Sequence, residues 1–358
     1  MINQILMYLM AFGVVLGGAD LILGNRFGLG EKFEEGFRLL GPIAMSMAGI
    51  VCLTPLIADF AKVCITPLLN LCGIDPAVCG GILPVDAGGY QLALELAADP
   101  TVGQYAGVVI GGTFGCTVAF LVPVGMGVLD KAQRQDFVVG LLIGLAALPV
   151  SLIAGGMVCG LPLLRILHQT LPVLLISALL ILGLTKFSAP LIRGFAVFAR
   201  GIRILTLLGL MAGAAAHLTG RELLPGISPL KDAMETVCGI GIVLLGCLPL
   251  AELLRRMLGR PVRWIGRKTG LRDTAITALL MGAILAMPAL TMMKDMDRRG
   301  RIVTGAFLVC GASALSAHLG FTLGVSPEMV MPLLAAKFAG AVCAAAIAII
   351  LTNKTSSV

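Results

Sequence analysis

Asp86 stands in the stretch Leu83-Pro84-Val85-Asp86-Ala87-Gly88-Gly89-Tyr90, within an otherwise apolar run. A proline and a glycine pair interrupt helical backbone bonding. A carboxylate at the centre of a membrane helix costs ~3 kcal/mol or more, so it needs a partner. The chemistry this pattern offers is cation binding. The Asp86 carboxylate would act beside backbone groups freed at Gly88 and Gly89, with the Tyr90 ring next in sequence. Asp86 could equally cap the helix that follows, since aspartate is a preferred N-cap, and the two roles are compatible. A second break is expected at Met287-Pro288. His318 lies late in another apolar run, where it could relay a proton, touch a solute or be held structurally.

Other polar residues have plainer readings. Glu95, Asp99 and Asp20 are expected at an interface, and Lys337 is expected to snorkel towards the outer surface. Asp295 and Asp297 sit among Lys294, Arg298 and Arg299 in a solvated loop, and Glu252 precedes Arg255 and Arg256 at ion-pairing distance along a helix. The 10 cysteines include no C-x-x-C pair and read as small packing residues. The sequence has no H-E-x-x-H, P-loop or nucleophile-elbow signature. It therefore reads as a non-enzyme with no cofactor and no metal.

These residues need elements to position them, and composition says which. Hydrophobic residues make up 58 % of the 358, charged residues 13 %, and mean hydropathy is +1.02. That is more apolar surface than a soluble core can bury, so the fold class is an all-α polytopic membrane protein. The net charge of +7 does not indicate nucleic acid, because the basic residues fall in short clusters between apolar runs. Nine spans are expected, near 3–23, 38–57, 104–129, 136–160, 168–185, 204–218, 233–253, 301–324 and 329–352. Two further stretches, 76–94 and 274–293, are interrupted.

Lys and Arg clusters at 26–38, 131–134, 186–203, 255–272 and 294–301 mark one side as cytoplasmic. This works if both interrupted stretches return to the side they entered from, as re-entrant hairpins. Nine crossings then put the N-terminus outside and the C-terminus inside. If both stretches crossed there would be eleven crossings, with the same end orientations. Pro55 is followed by Pro67 at the spacing at which Pro249 is followed by Pro261, and Gly107 and Ala119-Phe120-Leu121 face Gly305 and Ala317-His318-Leu319. The matched loops have opposite charge character, as inverted repeats would. The expected organisation is 1–37, a first helix and loop; 38–160, a first repeat; 161–232, two connecting helices; and 233–358, a second repeat with a short tail. Broken helices at matching positions of inverted repeats place a transporter's site near the midplane.

Several segments then resemble one family in order: Phe33-Glu34-Glu35-Gly36-Phe37, Asp86-x-Gly88-Gly89 with Leu94-Glu95-Leu96-Ala97, Leu224-Pro225-Gly226, Met292-Met293-Lys294-x-Met296-Asp297-x-Arg299-Gly300, and His318-Leu319-Gly320-Phe321. The chain resembles the EutH-type ethanolamine permeases of bacterial ethanolamine utilisation over nearly its whole length. At Ala317 it departs from them, since family members often carry an acid there. The resemblance implies uptake of ethanolamine, or a similar small amine, across the bacterial inner membrane. Ethanolamine is mostly an ammonium ion at neutral pH, which suits a buried carboxylate and aromatic faces. The expected substrate-binding residues are Asp86, Gly88, Gly89, Tyr90, Phe120, Pro288, His318 and Phe321. The alternative is an H⁺- or Na⁺-coupled carrier of a different small solute. By analogy, a homodimer could be scaffolded by the first helix and the two between the repeats.

Overall fold

The computed structural model describes residues 2–354; the side chains of Asp86 and a few other positions lie outside the description. Among the described residues every regular element is helical. In lipid, backbone groups must be satisfied within the segment, so apolar runs of this length form helices. Among the described residues, eight helices are long and apolar enough to cross a membrane: Gln4–Ile22, Leu29–Cys64, Pro100–Val128, Gln133–Val158, Leu163–Lys186, Arg193–Thr219, Leu230–Trp264 and Pro327–Asn353. The chain is a multi-pass membrane protein.

In order, α1 is Ile2–Ile22, α2 Leu29–Arg38, α3 Leu40–Cys64 and α4 Thr66–Leu71. A 3₁₀ turn at Pro76–Ile82 precedes α5, Tyr90–Leu96. Then α6, Pro100–Gln104, runs through π-helical turns at Tyr105–Gly115 and Thr117–Leu121 into α7, Val122–Val128. The long helices α8 (Lys131–Val158), α9 (Leu163–Lys186), α10 (Ser188–Thr219) and α11 (Leu230–Thr269) follow. After them come α12 (Asp273–Ile284), α13 (Ala286–Met292), α14 (Arg298–Gly311), α15 (Ala317–Val325) and α16 (Val330–Lys354).

The centre of the molecule packs α8 against α14 and α16. Ser151 on α8 donates to the Ala336 carbonyl on α16 at 2.8 Å, and Thr117 donates to the Val309 carbonyl on α14 at 2.8 Å. On the flanks, α1 packs on α11 and α3 on α10.

Both interrupted stretches close on themselves. Asp75 Oδ1 accepts from the backbone N–H groups of Ala77 (2.9 Å) and Ala98 (3.2 Å), and its Oδ2 accepts from Asp99 N (2.9 Å). One buried carboxylate thus ties the entry of the 76–96 stretch to its exit. At the second stretch, Arg299 Nη2 donates to the Thr269 carbonyl at 2.6 Å, and the Arg272 guanidinium lies 3.8 Å from Asp297.

Three expectations are corrected. The span expected at 301–324 is not continuous: α14 ends at Gly311 and α15 begins at Ala317. Lys337 does not snorkel, being fully buried. It lies seven residues into α16, about 10 Å from that helix's start at 1.5 Å per residue, beyond the reach of a lysine stem. Asp20 is buried rather than interfacial, and it accepts hydrogen bonds from the N–H groups of Phe27, Leu29 and Gly30 where α2 begins.

Candidate functional site

Pro84 has no N–H and cannot continue a helix, so Leu83 and Pro84 are extended (ψ 151° and 145°). The chain turns back through Gly88, at φ +85°, a conformation that favours glycine. The Pro84 carbonyl takes the N–H groups of Ala87 (3.0 Å) and Gly89 (3.2 Å), so the turn is bonded internally before α5 starts. The turn sits against the π-helical stretch. A Cβ at Gly115 would stand 2.3 Å from the Leu83 carbonyl oxygen, so only glycine admits that approach. Asp86 belongs to this turn by its backbone; its side chain lies outside the described residues.

The second break follows from Pro288, but it falls earlier in the chain. A proline ring clashes with the carbonyl four residues back, here that of Ile284, the last residue of α12. Leu285 is extended at φ −141°, ψ 127°, and Pro288 rides in the first turn of α13, where its missing N–H costs nothing. The carbonyls at the end of α12 are then left without helical donors. The break between α14 and α15 supplies them. Ser313 N donates to the Gly282 carbonyl (2.9 Å), Leu315 N to that of Ala283 (2.7 Å), and the Ser316 hydroxyl to that of Ile284. The two breaks satisfy each other.

A buried ammonium ties the interrupted α14 to the π-helical stretch. Lys337 Nζ donates to the carbonyls of Gly112 (2.7 Å), Ala312 (2.7 Å) and Cys310 (3.4 Å). The last two are terminal carbonyls of α14, which carry the negative end of its dipole. His318 lies beside this node: a Cβ at Gly112 would be 3.8 Å from both His318 Nδ1 and Lys337 Cε.

The expected residues are thus partly assembled. Tyr90 on α5 and Phe321 on α15 meet edge to face, with centroids 5.9 Å apart. Gly88 and Gly89 lead into Tyr90, and His318 is one turn before Phe321 on α15. Phe120 is half-buried and outside that ring pair, and Pro288 shapes α13 at a distance along the chain from both. Three polar atoms on α5 and α15 are buried with no hydrogen-bond partner among the described atoms: Gln91 Oε1, His318 Nδ1 and Thr322 Oγ1. Buried polar groups are seldom left unpaired, and those that are call for an explanation such as a bound solute or water. Sequence reasoning missed Gln91, Thr322, Lys337 and the break at 312–316. A charge far from either end of an apolar helix was the signal for Lys337, and two serines in Gly311-Ala-Ser-Ala-Leu-Ser316 were the signal for the break. Among the described residues no three of His, Cys, Asp and Glu converge in a way that could hold a metal ion.

The family model described as "Ethanolamine utilisation protein, EutH" matches residues 2–351. The chain is 36 % identical over 354 residues to the "Probable ethanolamine permease EutH" of Listeria monocytogenes, covering 99 % of this chain and 95 % of that one. It is 34 % identical to the uncharacterised protein YxeR of Bacillus subtilis, over 99 % of this chain and 96 % of the relative. It is 32 % identical to the "Probable ethanolamine permease EutH" of Escherichia coli, again over 99 % and 96 %. No solved structure matches the chain. Similarity of this extent, running from end to end, means that the chain belongs to the EutH family of ethanolamine utilisation proteins.

Proposed function

We propose that this chain carries ethanolamine, as its ammonium ion, across a bacterial inner membrane by alternating access. The observation that carries this reading is the end-to-end similarity to relatives named as probable ethanolamine permeases. The unpartnered atoms on α5 and α15, the two helices that carry the Tyr90–Phe321 pair, support it, because a small hydroxylated amine offers what they lack.

The Asp86 carboxylate receives the ammonium, with backbone groups at Gly88 and Gly89 beside it. The Tyr90 and Phe321 rings, with Phe120 near the path, add cation–π attraction. His318 Nδ1 and Thr322 Oγ1 take the hydroxyl. Residues 38–160 and 233–352 act as inverted halves whose interrupted stretches, 76–94 and 274–293, enter the membrane and return. That matches the way the ends of each stretch are tied together. Orientation follows the basic clusters, with the N-terminus outside. The first helix and the two between the halves are the proposed scaffold of a homodimer.

The test is uptake of labelled ethanolamine into liposomes holding the purified protein, wild type beside Asp86→Asn. Wild type accumulates label, and the variant loses at least tenfold in rate, the equivalent of about 1.4 kcal/mol. Wild type that is folded yet moves no ethanolamine overturns the substrate and favours a coupled carrier of another small solute. An Asp86→Asn variant with normal uptake removes Asp86 from the site.

A further inference from the structure

Inverted-repeat carriers commonly hold a coupling cation among unwound backbone carbonyls and the C-terminal ends of half-helices. This chain builds such a cage. Ala312 and Cys310 contribute the carbonyls at the interrupted end of α14, and Gly112 contributes one from the π-helical turns. The cage is already filled by the chain's own ammonium.

The geometry points to Lys337 as a resident cation that occupies an alkali-metal position, so that transport through this chain needs no external Na⁺ or K⁺. Three features carry the assignment. Nζ sits 2.7 Å from two of the carbonyl oxygens and 3.4 Å from the third, so each of its three N–H donors has a backbone acceptor. The carbonyls come from the last turn of α14 (Cys310), the residue just past its end (Ala312) and the π-helical stretch (Gly112); the two at the end of α14 have no α-helical donor ahead of them. The side chain is wholly buried at the packing of α14, α16 and the π-helical stretch, so the charge is a fixed part of the core. A tethered ammonium holds the positive charge in place throughout a transport cycle, whereas a bound ion would dissociate on the far side and couple its gradient to the solute.

This inference deepens the carrier reading, but its first test needs no substrate. The thermal unfolding of purified wild type, Lys337→Ala and Lys337→Met is followed in Na⁺, K⁺ and N-methylglucamine chloride at equal ionic strength. Alanine leaves room for an ion, whereas methionine fills the space with an apolar chain. Wild type and Lys337→Met are expected to unfold at the same temperature in all three salts. Lys337→Ala is expected to gain about 5 °C or more in one alkali cation over N-methylglucamine, because a ligand that binds only the folded state raises its stability. Both variants destabilised with no cation response is the signature of plain packing and overturns the proposal. So does a Lys337→Ala protein that folds in none of the salts. In a second arm, wild-type ethanolamine uptake is expected to agree within about twofold between Na⁺ and N-methylglucamine, about 0.4 kcal/mol. A wild type that requires Na⁺ or K⁺ overturns the proposal as well. Loss of the ethanolamine reading alone leaves the unfolding arm untouched, so the two failures are distinguishable.

Discussion

The Tyr90 ring on α5 meets the Phe321 ring on α15 at an interplanar angle of 80°, with centroids 5.9 Å apart. This joins the helix after the first break to the helix after the third, although 231 positions separate the residues in sequence. Such pairs contribute about 0.5–1.5 kcal/mol beyond the area they bury. Phe321 is fully buried, so Phe321→Ala is expected to destabilise by about 3–5 kcal/mol. Tyr90→Phe keeps the ring and is expected to cost far less. Thermal unfolding of Tyr90→Ala, Phe321→Ala and the double variant isolates the pair: a coupling energy near 1 kcal/mol is the expected result.

Gly88 requires glycine for two reasons. Its φ is +85°, and a Cβ there would stand 2.2 Å from Ile50 Cγ2 on α3. Gly88→Ala is expected to cost about 1–2 kcal/mol for the backbone alone, and more for the clash. Ile50→Ala removes the Cγ2 atom but keeps the Cβ, which would lie 2.8 Å from the added Cβ, so measured against Ile50→Ala the Gly88→Ala/Ile50→Ala variant should recover part of the clash and leave the backbone cost. Equal unfolding temperatures for the single Gly88→Ala variant and wild type would contradict the turn geometry.

The contrast between the breaks shows what was legible in the sequence. Pro84 with Gly88-Gly89 announced the first, because each residue acts on the backbone locally. Pro288 announced the second, but its effect falls at Ile284 and Leu285, since the clash of a proline is with the carbonyl four residues back. The third break, at 312–316, carries no proline. Its residues are alanines, serines and a leucine that suit a helix equally well, and it forms because the end of α12 needs Ser313, Leu315 and Ser316 as donors. That demand is tertiary, so hydropathy, which ranks composition and not backbone shape, passes over it. Lys337 is similar: the charge was visible, but two of its three acceptors, the carbonyls of Cys310 and Ala312, are exposed to it only once α14 has been interrupted.

Asp99 gives a pH dependence whose sign follows from its partners. Arg165 Nη2 donates to Asp99 Oδ2 at 2.6 Å, and the N–H groups of Thr101 and Val102 donate to Oδ1. The Arg165 guanidinium, then the Thr101 amide, hold this carboxyl below the usual carboxylate range. A group whose pKa is depressed on folding stabilises the protein above its unfolded value, about 3.9, and loses that stabilisation as pH falls through the folded value. The pair is partly exposed, so its contribution is about 0–1 kcal/mol. Arg165→Gln should therefore unfold slightly below wild type at pH 7. The gap should begin to narrow below about pH 4, where Asp99 protonates in the unfolded chain first, and close once pH has fallen through the lower folded value. A gap that persists unchanged at pH 3 would show that Arg165 acts through packing and not through charge.

Thr322 lies four residues after His318, on the same face of α15, and both carry a buried polar atom with no partner among the described atoms. If they receive the hydroxyl of a transported amino alcohol, Thr322→Val removes an acceptor while keeping the shape of the side chain. A neutral hydrogen bond contributes about 0.5–1.5 kcal/mol, so ethanolamine should compete about 2–10-fold less well for uptake in the variant. Ethylamine, which has the same ammonium and no hydroxyl, should compete as it does in wild type. The ratio of the two inhibition constants is the measurement, and variation in protein amount cancels from it. A parallel loss for both amines would place Thr322 in the general packing of α15, whereas a loss confined to ethanolamine would identify the end of the site that reads the hydroxyl.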